Sequence, residues 1–158
     1  MGDGYGPMFV TLGEVGVKDD AAAREWLRSR RIAIPGRMTS AFLAAQLFLG
    51  KDFDHVVVPF DEIFDAVKAG RADVGLIIHE GQLTYANEGF SQVLDLGEWW
   101  KRTRGLPLPL GGNVVRKDLP VAVREEIRDI LHESIAYGLA NRLPAVQHSM
   151  DHARGMDV

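Results

Sequence analysis

The sequence predicts an α/β fold with a mostly parallel central sheet flanked by helices, and three observations carry that prediction. Short β-prone runs alternate with helical stretches between Arg31 and Ile78, giving strand, helix, strand, helix, strand. Turn residues mark the changes of state, at Pro35-Gly36, Gly50 and Gly70. A chain of 158 residues with 46% hydrophobic content is long enough for one proper core and too short for two full ones, so a single α/β unit over 1–158 is expected.

The elements follow in order. Met8 to Leu12 is a short β-prone run, and after the breaks at Gly13 and Gly16 a small helix is expected over Ala21 to Leu27, capped by Asp19 or Asp20. Arg31 to Ile34 reads as a strand. Thr39 to Leu49 reads as a helix apolar nearly all round, ended by Gly50 and therefore expected to be buried. His55 to Val58 is a second strand of the alternating series, Asp61 is positioned to cap a helix through Ala69, and Ala72 to Ile78 is the third. Gln82 to Ala86 reads as a short helix, Gln92 to Leu94 as another strand, and Asp95 to Arg104 as a helix carrying Trp99 and Trp100. Leu106 to Leu110 must be extended, because each proline disfavours helix for itself and its predecessor, and Gly111 to Arg116 reads as a further strand. From Leu119 the signal is helical: Pro120 suits a first turn, and Val123, Ile127, Ile130, Leu131 and Ile135 recur at helical spacing to about Tyr137. Pro144 opens a last helix with Val146 and Met150, with no evident cap at Met156 to Val158.

Bulk composition narrows the function. A formal net charge of −4 and the short, isolated basic group Arg28, Arg30 and Arg31 argue against a nucleic-acid surface. There is no cysteine, which removes disulfides, thiolate catalysis and cysteine metal sites. No apolar run approaches the roughly 20 residues of a membrane span, and Met1 to Pro7 has neither the basic nor the apolar region of a signal peptide. Gly2 follows Met1, but Pro7 stands where a myristoylation signal wants Ser or Thr. A cytoplasmic protein acting on a small molecule, with neither nucleic acid nor membrane as partner, is the expectation.

Two features point to a site. In Gly75-Leu-Ile-Ile-His-Glu80 an apolar run stops at His79, where a strand of a parallel sheet ends and ligand crevices form. An imidazole fixed there is a candidate base. Pro35-Gly-Arg-Met-Thr-Ser-Ala41 joins a strand to a helix at the same rim, so the unpaired amides of the helix start suit a carboxylate or phosphate. Thr39 or Ser40 adds a hydroxyl, and Ala41 its amide and space. An ordinary N-cap explains Thr39 and Ser40 equally well.

Other features carry less. His148 and His152 share a helical i, i+4 spacing, yet lack the glutamate of a zinc-protease helix and read as surface residues. His55 and His132 are isolated. Trp99 and Trp100 face different ways, so at most one could reach a given cleft. Gly111-Gly112 lacks the Lys-Ser/Thr of a phosphate-binding loop, and Glu80, next to His79 on a strand, points to the opposite face.

Four segments, Arg31-Ile-Ala-Ile-Pro-Gly-Arg-Met-Thr-Ser-Ala41, Gly75-Leu-Ile-Ile-His-Glu80, Val93-Leu-Asp-Leu-Gly-Glu-Trp-Trp100 and Gly105-Leu-Pro-Leu-Pro-Leu-Gly-Gly-Asn113, together resemble the dihydroxynaphthoate synthase family of the futalosine route to menaquinone. The likeness spans nearly the whole chain. A sister family that makes a dehydrated futalosine, and solute-binding proteins of the same fold, are the neighbouring alternatives. The resemblance implies a lobe of a two-lobed, periplasmic-binding-protein-like (type II) fold. It implies a carbon–carbon lyase that releases 1,4-dihydroxy-6-naphthoate from cyclic dehypoxanthinyl futalosine without metal or organic cofactor. By the same resemblance His79 matches the family's proton acceptor, and Ser40 and Ala41, with Thr39 adjacent, match its substrate contacts. The family's Ser-Pro-Cys-Pro-Asn-Asp-like opening, a further serine-bearing segment and its closing helices have no counterpart here, so the expectation is mainly the second lobe with pieces of the first at both ends. Apolar surface left uncovered in such a chain predicts a homodimer or poor solubility. A small-anion or solute-binding module of the same fold, without catalysis, is the competing expectation.

Overall fold

Met8, Phe9 and Val10 are all buried, so the strand they open, β1 (Met8–Leu12), needs cover on both faces and stands inside the sheet. The computed structural model describes residues 1–79 and 81–150, which fall into two compact units, Met1–Gly111 and Gly112–Val158. In the first unit β1 is followed by α1 (Asp20–Arg28), β2 (Ile32–Ile34), α2 (Ser40–Leu49), β3 (His55–Val57), a 3-10 turn at Phe60–Glu62, α3 (Ile63–Lys68), β4 (Val74–Ile77), α4 (Gly81–Thr84), β5 (Phe90–Asp95) and α5 (Leu96–Arg104).

The five strands lie in the order β3-β2-β4-β1-β5. β2 pairs in parallel with β3 and with β4, as the βαβ succession predicts. β1 runs antiparallel to both of its neighbours, pairing Phe9 with Leu76 of β4 and with Leu94 of β5. The sheet is therefore mixed, which corrects the mostly parallel sheet expected from the sequence. The physical reason is that β1 comes before the βαβ series and is inserted between strands that all point the other way. Its buried apolar pattern would look the same in either direction.

The helices form where their ends are satisfied. Asp19 caps α1 by accepting from the Ala22 amide at 2.8 Å. Asp95 caps α5, its Oδ1 accepting from the amides of Gly97 at 2.7 Å and Glu98 at 3.0 Å. Burial nevertheless pushes the Asp95 carboxyl above its ordinary value, against the lowering effect of these amides. Asp61 does not begin α3 as expected: it lies within the 3-10 turn, and α3 starts at Ile63. The packing of α3 on the sheet explains the glycine at position 75, where a Cβ would come within 2.6 Å of Ile63 Cγ2.

Two apolar clusters cover the two faces of the sheet. One joins Phe9, Ile32, Ile34 and Leu76 to Leu27 of α1, Phe48 of α2 and Trp99 of α5. The other joins Val10, Ala33 and Ile77 to Ile63 and Val67 of α3. α2 is buried along Ala41, Phe42, Ala44, Ala45, Phe48 and Leu49, but Leu43 and Leu47 face outward at 57% and 52% exposure, so its burial is one-sided.

In the second unit, α6 (Val121–Ala140) and α7 (Arg142–Met150) meet at Asn141, whose backbone amide and side-chain Nδ2 both donate to the Tyr137 carbonyl. α7 begins before Pro144, and the expected end of this helix at Met156 to Val158 lies outside the described residues. The strand expected over Gly111 to Arg116 is absent: those residues are exposed and unpaired as a ladder, with Val114 fully out in solvent. Two glycines in succession and no buried face leave nothing to hold an extended run in a sheet.

Candidate active site

His79 lies two residues beyond the end of β4, in left-handed backbone with φ at 55°. No other described non-glycine residue has positive φ. Such a conformation costs a residue with a Cβ on the order of 1–2 kcal/mol and persists where its surroundings impose it. Here the His79 carbonyl accepts from the Gln82 amide at 3.1 Å, closing the turn into α4. The ring stands edge-on to Phe60 with centroids 5.1 Å apart. Turn and ring contact together fix an exposed imidazole at the strand end.

The start of α2 reaches the same place. The Thr39 hydroxyl accepts from the Phe42 amide at 3.1 Å and donates its one hydrogen to the Gly36 carbonyl at 2.8 Å. The Leu43 amide is taken by the Thr39 carbonyl. Of the four amides that this helix start leaves without intrahelical acceptors, those of Thr39 to Phe42, only that of Phe42 is capped, and those of Thr39, Ser40 and Ala41 have no acceptor among the described residues. Thr39 is thus bound up as an N-cap, and the hydroxyl free to face a ligand is that of Ser40, which is exposed.

His79, Thr39, Ser40 and Ala41 line one pocket of about 420 Å³, with Pro7, Ile78, Gln82, Leu110 and Gly111. Every candidate residue from the strand end and the helix start thus meets in one concavity. Its size suits a small organic ligand. Apart from Thr39, the side chains that bring polarity to it are Ser40, His79 and Gln82. The remaining walls are apolar or small.

The sequence missed Pro7, Leu110 and Gln82. Pro7 and Leu110 come from segments far from His79 along the chain, and backbone contacts hold them there. The Leu96 amide donates to the Pro7 carbonyl at 2.9 Å, and Gly2 and Leu108 exchange hydrogen bonds at 2.9 and 2.8 Å. Gly97 makes the approach possible, since a Cβ there would fall 2.0 Å from the Tyr5 carbonyl carbon. No local pattern announces such a wall. Gln82 has a local signal, standing three residues after His79 in a turn, but a short helix over Gln82 to Ala86 does not by itself mark it as a pocket residue.

The other sequence candidates lie elsewhere. Trp99 packs edge-on against Phe48 at 5.1 Å and Trp100 packs against the same core, so neither lines this pocket. His55 is held by Nδ1 against the Phe53 carbonyl at 2.9 Å and by the rings of Phe42 and Phe53, a structural role. His132 is exposed on α6. His148 is on α7, while His152 and Glu80 lie outside the described residues. Among the described residues no group of three or more His, Asp or Glu could hold a metal ion, and no helix is long and apolar enough to cross a membrane.

A larger groove, about 630 Å³, runs between residues 17–23 and 92–102. Several of its charges are engaged within the protein: Arg102 holds Asp20 at 2.5 Å, Asp19 caps α1 and Asp95 caps α5. No histidine lines it.

Comparison with known proteins sets this geometry in context. A family model described as Menaquinone biosynthesis matches residues 1–158. A 1,4-dihydroxy-6-naphtoate synthase of Thermus thermophilus is 36% identical over 154 residues, covering 98% of this chain and 53% of that protein. A protein of the same name from Streptomyces coelicolor is 35% identical over 162 residues, covering 99% of this chain and 54% of that one. A crystal structure of an Archaeoglobus fulgidus protein superposes with a TM-score of 0.86 at 45% identity, covering 99% of this chain and 55% of that chain. The chain spans about half the length of the curated relatives it matches.

Proposed function

The chain belongs to the menaquinone biosynthesis family, and from that premise we propose that it is a 1,4-dihydroxy-6-naphthoate synthase, or the histidine-bearing lobe of one. Its substrate is cyclic dehypoxanthinyl futalosine, and the reaction is a carbon–carbon cleavage that releases 1,4-dihydroxy-6-naphthoate. His79 is the proton acceptor, taking a proton from a carbon next to a carbonyl, work an imidazole does near neutral pH. The amides of Ser40 and Ala41 and the Ser40 hydroxyl hold an anionic group of the substrate, while Thr39 keeps the helix start in shape. Formation of the aromatic naphthalene ring drives the reaction, which as drawn asks for proton transfer and charge stabilisation only. In this reading the chain forms mainly one lobe of a two-lobed, periplasmic-binding-protein-like fold with pieces of the other at both ends, and it works in the cytoplasm.

The observation that supports this reading best is the convergence of His79 with Ser40 and Ala41 on one pocket. The naming of the two curated relatives supports the choice of reaction. The test is product formation by the purified chain from cyclic dehypoxanthinyl futalosine, read by mass spectrometry beside His79→Asn. Asparagine tolerates the left-handed backbone at this position, so the variant removes the base with little added strain. Turnover should fall about 100-fold or more, within the range for loss of a general base. Product formation unchanged in the variant would refute the assignment of His79. Ligand binding without turnover in both forms would favour a solute-binding module instead.

A further inference from the structure

The proposed proton transfer leaves a requirement unmet. When a proton leaves a carbon next to a carbonyl, the C–H electron pair becomes a carbon–carbon π bond and the carbonyl π pair moves onto oxygen. The resulting enolate oxygen needs a hydrogen-bond donor fixed before the charge develops. The Ser40 and Ala41 amides are engaged, on the reading above, with the substrate's anionic group. Of the polar side chains that line the pocket, Thr39 has its hydrogen committed to Gly36, the Ser40 hydroxyl is engaged with the same anionic group on that reading, His79 is the base, and Gln82 remains.

We propose that the Gln82 carboxamide is the donor that holds the carbonyl oxygen of the substrate as His79 takes the adjacent proton. This rests on the proposed function and deepens it. Several observations favour Gln82. It lines the same pocket as His79. It follows His79 by three residues in a turn closed by its own backbone amide, so the two residues are fixed relative to each other by main-chain geometry. It is half-buried, and its carboxamide takes part in no hydrogen bond within the protein among the described residues. A carboxamide brings two N–H donors without a charge, so it polarises a carbonyl without competing for the proton that His79 must receive. The proton passes from carbon to the imidazole, the negative charge passes to the oxygen facing Gln82 Nε2, and neither oxidant nor further reactant is consumed.

The test uses the full chain with cyclic dehypoxanthinyl futalosine, comparing wild type, Gln82→Met and Gln82→Glu. Methionine keeps the length of the side chain and removes both donors; glutamate substitutes an acceptor that repels an enolate. The link to His79 is made by the backbone of residue 82, so both variants should keep the wild-type melting temperature. With a donor removed from a developing oxyanion, kcat should fall about 100-fold in Gln82→Met, with KM changed less than about threefold, and Gln82→Glu should be at least as impaired. A Gln82→Met enzyme within about twofold of wild-type kcat, or a change confined to KM, would overturn this inference and leave the role of His79 intact. A folded wild type that yields no product and also fails to bind 1,4-dihydroxy-6-naphthoate would overturn the proposed function and this inference with it.

Discussion

At the scale of single residues, the structure separates two hydroxyls that the sequence presents as equals. Thr39 and Ser40 are adjacent, and either could cap a helix or face a ligand. Geometry gives the capping task to Thr39, which both accepts from Phe42 and donates to Gly36, and leaves Ser40 open. Thr39→Ala should therefore cost about 1 kcal/mol of stability, measured by urea unfolding. Ser40→Ala should leave stability within about 0.5 kcal/mol and weaken ligand binding. Equal stability losses in the two variants would contradict this division. The distinction was not legible beforehand because it depends on where the Gly36 carbonyl points, which composition does not encode. The location of His79 at a strand end was legible, since an apolar run broken by a single imidazole marks that position. Its left-handed backbone was not.

At the scale of elements, most helices and strands follow from local signals: Asp19 and Asp95 as caps, Gly50 and Gly105 as helix ends, and apolar runs as strands. The direction of β1 does not follow, because its pairing with β4 and β5 is a long-range choice compatible with the same buried pattern. The missing strand at Gly111 to Arg116 has the complementary cause: β-prone valines form no ladder without a partner. The cap of α5 yields a pH prediction. Asp95 has its carboxyl raised chiefly by burial, so the folded state keeps that proton to higher pH than the unfolded state does. Its contribution to stability therefore falls as pH rises from the ordinary carboxylate value through the raised one. Asp95→Asn retains an oxygen for the amides of Gly97 and Glu98 while removing this ionisation. Urea unfolding between pH 4 and pH 7 should show a shallower decline with rising pH from this group in Asp95→Asn than in wild type. An identical pH profile in the two proteins would refute the account.

At the scale of the whole molecule, the pocket depends on segments from the beginning, middle and end of the Met1–Gly111 unit, which is why its apolar walls could not be read from any one stretch. Outward-facing apolar residues occur in both units: Leu43 and Leu47 on α2, with Ile130 and Ile135 on α6 at 58% and 52% exposure. β3, at one edge of the sheet, adds exposed Val57. Such surface favours self-association. Light scattering should show a dimer or larger species at micromolar concentration, and a monodisperse monomer would count against this.

On the proposed function, the end of β4 and the start of α2 are two sides of one ligand site. A nuclear magnetic resonance titration of the isotopically labelled chain with 1,4-dihydroxy-6-naphthoate, following backbone amides and histidine rings, decides whether they are. The Ser40 and Ala41 amides and the His79 ring should shift together, with one shared dissociation constant. Shifts confined to the groove between residues 17–23 and 92–102, or shifts at α2 that leave His79 untouched at saturation, would contradict it.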